Sequence, residues 1–231
     1  MRVCRPSLSV KGVRGVKMNI MSYLQNSSTI FWDFDGVIKE SIDVKTQAYC
    51  DVFKSFGAGP VSKIKKHHEA NGGVSRYEKI PHYLRICGVQ PTANVIDEYC
   101  RRFAEVVVDG VVNSAFVPGF ERFFDDLDQC NHVLVTATPQ EEIHLILKQL
   151  GLLSKFSDIY GAPCSKRDAI HDFVSRNKEA KDNCVMIGDS HTDKQAAKDA
   201  GICFILRLHD ANDTLIDDEC AAVIRDFNIN G

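Results

Sequence analysis

The chain has 231 residues, 44% of them hydrophobic and 26% charged, with 7 Pro and 15 Gly. That is ordinary globular composition, and it excludes a disordered, collagen-like or coiled-coil chain. The length suits one core plus a modest insertion, and a net charge of −3 gives no strong basic field of the kind a dedicated nucleic-acid binder needs.

No acidic residue precedes Asp33, whereas Arg2, Arg5, Lys11, Arg14 and Lys17 do, so the first 32 residues carry +5 and the remainder −8. A targeting peptide, a disordered leader, or translation from a start upstream of Met18 or Met21 all fit so basic a segment. Gly12 and Gly15 interrupt Val10, Val13 and Val16, which argues against an amphipathic targeting helix. Residues 1–27 are therefore expected to be a disordered leader or start-site extension. No apolar run reaches membrane-spanning or secretory length, and the nine cysteines form no C-x-x-C and no zinc-ligand spacing. A cytoplasmic protein with reduced thiols and no membrane partner is the expectation.

Residues 28–34 are a β-branched and aromatic run bounded by polar residues, which predicts a buried strand; the lone Trp32 within it is expected to be packing. From 42 to 116 the pattern turns helical, with segments at 42–56, 62–70, 75–86 and 92–108. Residues 106–112 are ambiguous between helix and strand, and 57–60 read as a turn. Strand patterns recur at 132–136, 183–188 and 202–206, separated by helical segments at 140–150, 166–177 and 191–200; Gly151 and Gly201 stop the first and last of these helices. This alternation predicts an α/β fold: a Rossmann-like parallel sheet flanked by helices, built from residues 28–41 and 117–231, with a helical domain at 42–116 inserted after the first strand.

Ligands of open α/β sheets bind beyond the carboxyl ends of the strands, so the polar residues closing each apolar run form the candidate site. They are Asp33-Phe34-Asp35-Gly36, Thr136-Ala137-Thr138-Pro139 and Gly188-Asp189-Ser190-His191-Thr192-Asp193, with Lys166 opening a helix. Carboxylates converging on one rim repel one another, and a hard divalent cation with oxygen ligands relieves that repulsion. Mg²⁺ fits best, because it takes one or two carboxylates, keeps several waters and leaves coordination for a substrate phosphate.

These motifs, in this order, resemble the haloacid dehalogenase superfamily, in its subgroup with a helical cap after the first motif. The resemblance spans residues 29–206. It implies a Mg²⁺-dependent phosphatase of a small phosphorylated metabolite, a sugar phosphate above all, working as a monomer or homodimer. Under it Asp33 is the nucleophile that becomes an aspartyl phosphate, and Asp35 the general acid and base. Thr136 and the Ala137 N–H hold phosphoryl oxygens, and Lys166 supplies fixed positive charge to the nucleophile and substrate. Asp33, the Asp35 carbonyl and Asp189 are the metal ligands, while Asp193 holds the metal's waters or orients Lys166. Asp35 speaks against dehalogenation and phosphonate hydrolysis, whose subgroups lack that carboxylate.

Gly73-Val-Ser-Arg76 resembles the cap loop of β-phosphoglucomutases and related sugar-phosphate phosphatases, which implies that Arg76 binds substrate; the other reading has Ser75 capping a helix and Arg76 in its solvated first turn. A phosphosugar mutase is the alternative function, but Lys45 stands where mutases place a histidine and Glu40 replaces a common Asp. A scaffold protein that merely retains the fold would have a damaged site, and none of Asp33, Asp35, Lys166 or Asp189 is missing. Lys65, Lys66, His67 and His68 are expected on a solvated helix face, and Asp125, Asp126 and Asp128 at the surface. His191 reads equally as an exposed helix opener or a substrate contact.

Overall fold

The computed structural model describes residues 20–228. Most of the basic segment, residues 1–19, lies outside them. The last part of the expected leader is not disordered: Ile20–Gln25 form α1, and Leu24 is fully buried. The apolar side chain of Leu24 joins the core, so the folded region begins before residue 28.

Among the described residues six parallel strands make one sheet in the order β3-β2-β1-β4-β5-β6. They are β1 (Thr29–Trp32), β2 (Asn131–Pro139), β3 (Asp158–Ala162), β4 (Cys184–Gly188), β5 (Cys203–Arg207) and β6 (Ala222–Ile224). Between β1 and β2 the chain inserts α2 (Ile42–Phe53), α3 (Ala58–Ala70), α4 (Arg76–Ile86) and α5 (Ala93–Asn113), followed by α6 (Phe120–Asp125). The flanking helices α7 (Gln140–Gln149), α8 (Lys166–Asn177) and α9 (His191–Ala200) then alternate with strands. Because every pairing is parallel, all carboxyl ends lie on one rim. β1 sits between β2 and β4, the topological switch at which such sheets open a crevice.

Side-chain alternation divides the core between the two faces of the sheet. Ile30, Trp32, Leu134 and Ile187 face α6, α7 and the inserted helices, while Phe31, Val133, Val135 and Met186 face α8 and α9. Trp32 is packing, as expected: its ring lies among those of Phe120, Phe123, Phe124 and Phe227. The indole N–H donates to His132 Nδ1 at 3.1 Å, and His132 Nε2 donates to the Leu127 carbonyl at 3.0 Å. Burial lowers the pKa of this histidine, and the neutral ring satisfies both bonds.

The insert differs from the sequence expectation in two places. Residues 106–112 belong to α5, where Tyr99, Phe103, Val107 and Val111 recur every four residues as its buried stripe; that spacing outweighs the strand preference of the valines. Residues 58–60 begin α3 rather than forming a turn, with Pro60 in the first turn, where its missing N–H costs nothing. The two connections to the core are paired with each other: Glu40 N–H donates to the Ala115 carbonyl at 2.9 Å and Val117 N–H to the Ile38 carbonyl at 3.0 Å. No helix among the described residues is long and apolar enough to cross a membrane.

Candidate active site

The first carboxylate of the chain follows β1 directly. Asp33 is 3% exposed, and its Oδ1 lies 2.9 Å from the Lys166 ammonium. Lys166 is the first residue of α8, whose N-cap is Ser165, and it also donates to Asp193 Oδ1 at 2.6 Å. Asp193 is held in turn by a capping box at the start of α9, its Oδ2 accepting from the Ser190 backbone N–H at 3.1 Å. The GDSHTD segment thus serves both as a helix start and as the mount for Lys166.

Carboxylate oxygens of Asp33, Asp189 and Asp193 all lie within 4.8 Å of one another. Burial, with Asp193 next, pushes the Asp33 carboxyl well above its usual range. Burial also raises Asp189, although His209 donates to it at 3.1 Å. Burial opposes charge on Lys166 too, but Asp193 and Asp33 hold its ammonium above the ordinary value. Three buried carboxylates facing one lysine are short of positive charge, and an oxygen-only donor set suits a hard cation. Gly36 admits Asp189 to this cluster: it has φ +77°, and an added Cβ would stand 2.2 Å from Asp189 Oδ2.

Asp35 faces a different set of partners. Its Oδ1 accepts from Ser41 Oγ at 2.6 Å, and its Oδ2 accepts from Lys45 and, at 3.3 Å, from Thr138 Oγ1. Burial is the largest influence and works against ionisation here, yet Lys45, Ser41 and Lys166 together outweigh it and lower the Asp35 pKa. The close carboxylate cluster therefore contains Asp193 and not the Asp35 side chain. Thr136 and Ala137 lie where the β2–β3 register shifts, between Val135 and Pro139. Thr136 Oγ1 accepts from the Thr138 N–H at 3.2 Å.

Residues 30–206 match the family model described as haloacid dehalogenase-like hydrolase. The chain belongs to this family. Among solved structures, CbbY from Rhodobacter sphaeroides in complex with phosphate is 17% identical with a TM-score of 0.71, covering 89% of this chain and 97% of its own. β-Phosphoglucomutase from Clostridium difficile is 19% identical with a TM-score of 0.70, covering 89% and 93%. A predicted phosphoglycolate phosphatase from Haemophilus somnus is 16% identical with a TM-score of 0.68, covering 87% and 95%. No curated protein sequence matches the chain.

In this haloacid dehalogenase-like hydrolase the insert lies over the rim as a cap and bounds a solvent-open cavity of about 900 Å³ that both Asp33 and Asp35 line. Arg76 also reaches it, and it is not in a solvated turn: it is 5% exposed, lies over the Phe103 ring at 4.6 Å and pairs with Glu142 at the start of α7. Ser75 does cap α4, accepting from the Tyr77 N–H. Sequence reasoning missed Glu142, which carries no motif. It also placed His68 on a solvated face, whereas His68 is 7% exposed and accepts from Lys79 at 2.9 Å. Lys65 and Lys66 are exposed, as are His191, Asp125, Asp126 and Asp128. Lys79 was legible in principle, since Arg76, Lys79, Ile80 and Tyr83 share the buried face of α4 at helical spacing.

The cap loop touches the core through Gly73, where φ is +74° and an added Cβ would lie 2.1 Å from Thr192 Oγ1 and 2.4 Å from Ser190 Oγ. Gly73→Ala is expected to hold this loop off the rim and raise KM roughly tenfold, equivalent to about 1.4 kcal/mol. The melting temperature should fall by only a few degrees, the cost of an alanine at φ +74°. Steady-state kinetics beside thermal unfolding check both expectations.

Proposed function

We propose that the chain is a Mg²⁺-dependent phosphomonoesterase acting on a small phosphorylated metabolite of the sugar-phosphate class. The observation that carries this reading is the placement of two carboxylates of opposite character on one cavity beneath the cap. Asp33 lies against Lys166 at 2.9 Å, and Asp35 is held as the carboxylate by Lys45 and Ser41.

In the proposed reaction an Asp33 oxygen attacks phosphorus, and Asp35, a carboxylate in the free site, takes the proton of the monoprotonated phosphate ester and passes it to the departing ester oxygen, leaving an aspartyl phosphate. Asp35, now ionised, takes a proton from a water that attacks the same phosphorus, which releases inorganic phosphate and restores Asp33. Lys166 fixes positive charge beside the nucleophile, and Asp193, 2.6 Å from that ammonium, orients it. The Thr136 hydroxyl and the Ala137 N–H are suited to hold phosphoryl oxygens. Asp33, Asp189 and the Asp35 carbonyl would hold Mg²⁺, whose charge would offset that of the phosphoryl oxygens. Water exclusion falls to the cap, and a cavity of about 900 Å³ has room for a phosphosugar rather than only a two-carbon ester.

Lys45 bears on the choice between hydrolysis and phosphoryl return to the sugar. Its ammonium favours the ionised form of Asp35, which is the base that the hydrolytic half-reaction requires. A panel of sugar monophosphates incubated with Mg²⁺ tests the reading: release of inorganic phosphate is expected, with loss of activity in excess chelator. Isomerised sugar phosphate without free phosphate would replace hydrolysis with mutase chemistry, and full activity in chelator would remove the metal.

A further inference from the structure

Four cationic side chains of the cavity lining can be sorted by their partners. Lys45 is matched by Asp35, Arg76 by Glu142 and Arg207 by Glu40. Lys79 lines the same cavity, is 2% exposed, and has no carboxylate within 4.0 Å of its ammonium among the described residues. Its hydrogen-bond partner is His68 Nδ1, at 2.9 Å. That ring supplies no counter-charge, since an imidazole is neutral or positive and burial, which pushes His68 down to about 3, keeps it neutral; what it supplies is direction. An unmatched ammonium buried this deeply is costly, and burial pushes Lys79 itself down to about 7. An anion arriving from the cavity would restore the charge and remove the cost. Arg76, on the same face of α4, is already neutralised by Glu142 and is less available for that task.

We propose that Lys79, aimed by His68, receives a second, non-reacting anionic group of the substrate, so that the preferred substrates are phosphate esters that also carry a carboxylate or a second phosphate. The inference rests on the phosphatase reading of the same cavity and narrows its substrate class. Asp33 and Asp35 address the reacting phosphate from the core, and Lys79 addresses the remote anion from the cap. Lys79 is thus a specificity-determining residue.

The test compares kcat/KM for phosphate release from glucose 6-phosphate, 6-phosphogluconate and fructose 1,6-bisphosphate, with p-nitrophenyl phosphate as a generic ester. Wild-type protein is expected to favour one or both of the acidic substrates over glucose 6-phosphate by at least about tenfold; whichever wins identifies the carboxylate or the second phosphate as the group received. Lys79→Gln should reduce that ratio by at least about tenfold, while Lys79→Arg, which keeps the charge, should retain most of it. Equal kcat/KM for the three metabolites in wild-type protein would overturn the inference, a result that does not depend on any variant folding. So would a Lys79→Gln protein that lost activity on all three in parallel. No release even from p-nitrophenyl phosphate would overturn the phosphatase reading instead.

Discussion

Asp33→Asn is expected to abolish phosphate release and, at the same time, to make the protein harder to melt. Loss of the nucleophile should lower kcat by on the order of 10⁴-fold or more, since an amide cannot form the aspartyl phosphate. Stability should move the other way. Asp33, Asp189 and Asp193 crowd within 4.8 Å with Lys166 as the shared cation of Asp33 and Asp193, and burial holds Asp33 far above the usual carboxylate range. Removing one charge leaves Lys166 bonded to Asp193, and each 1 kcal/mol of relief raises the melting temperature by about 2–4 °C in a chain of this size. Thermal unfolding in chelator, with and without added Mg²⁺, measures it. The wild type should gain more from Mg²⁺ than the variant does, by an amount set by ligand concentration over Kd. A variant that melts below wild type in chelator would mean that the cluster is not repulsive.

Lys166→Met should have the largest effect on folding. Without its ammonium, Asp33 and Asp193 lose their shared cation beside Asp189, which keeps only His209, and breaking a buried pair from one side costs roughly 3–5 kcal/mol, or roughly 6–20 °C at the melting midpoint. The pH dependence has a definite sign. Asp33 and Asp189 are raised in the folded state, so the folded protein binds their protons more readily than the unfolded chain. Their contribution to stability is complete below the unfolded carboxylate value of about 4 and is lost as pH rises through the folded values. The variant should therefore regain stability on mild acidification. Adding Asp33→Asn to it should recover part of the loss at neutral pH, a non-additive coupling that unrelated lesions would not show. Melting curves of both single variants and the double variant across pH decide the matter.

The sequence made the centre of the sheet plain and left its margins obscure, for a physical reason. The runs that became β1, β2, β4 and β5 are buried on both faces and read as nearly continuous apolar segments. β3 is an edge strand, Asp-Ile-Tyr-Gly-Ala, whose first three residues are only half-buried, and β6 has three residues; neither has enough apolar pattern to stand out. The carboxylates and Lys166 were legible because motifs at strand ends converge whatever the details of packing. The cavity wall was not. Glu142 meets Arg76 across 66 residues of chain, and His68 meets Lys79 only because α3 and α4 pack together. Such pairs depend on how helices dock, which periodicity alone does not specify.

The aromatic nest around Trp32 makes the protein its own optical reporter. Trp32 is the sole tryptophan, is fully buried and donates its indole hydrogen to a neutral imidazole rather than to water. Its emission should be short in wavelength and should shift red only when α6 lifts from the sheet. Circular dichroism is weighted instead toward the long inserted helices. Discordance between the two signals during denaturation would reveal a stage at which the cap has melted over an intact sheet, and coincidence would show that both fail as one cooperative unit.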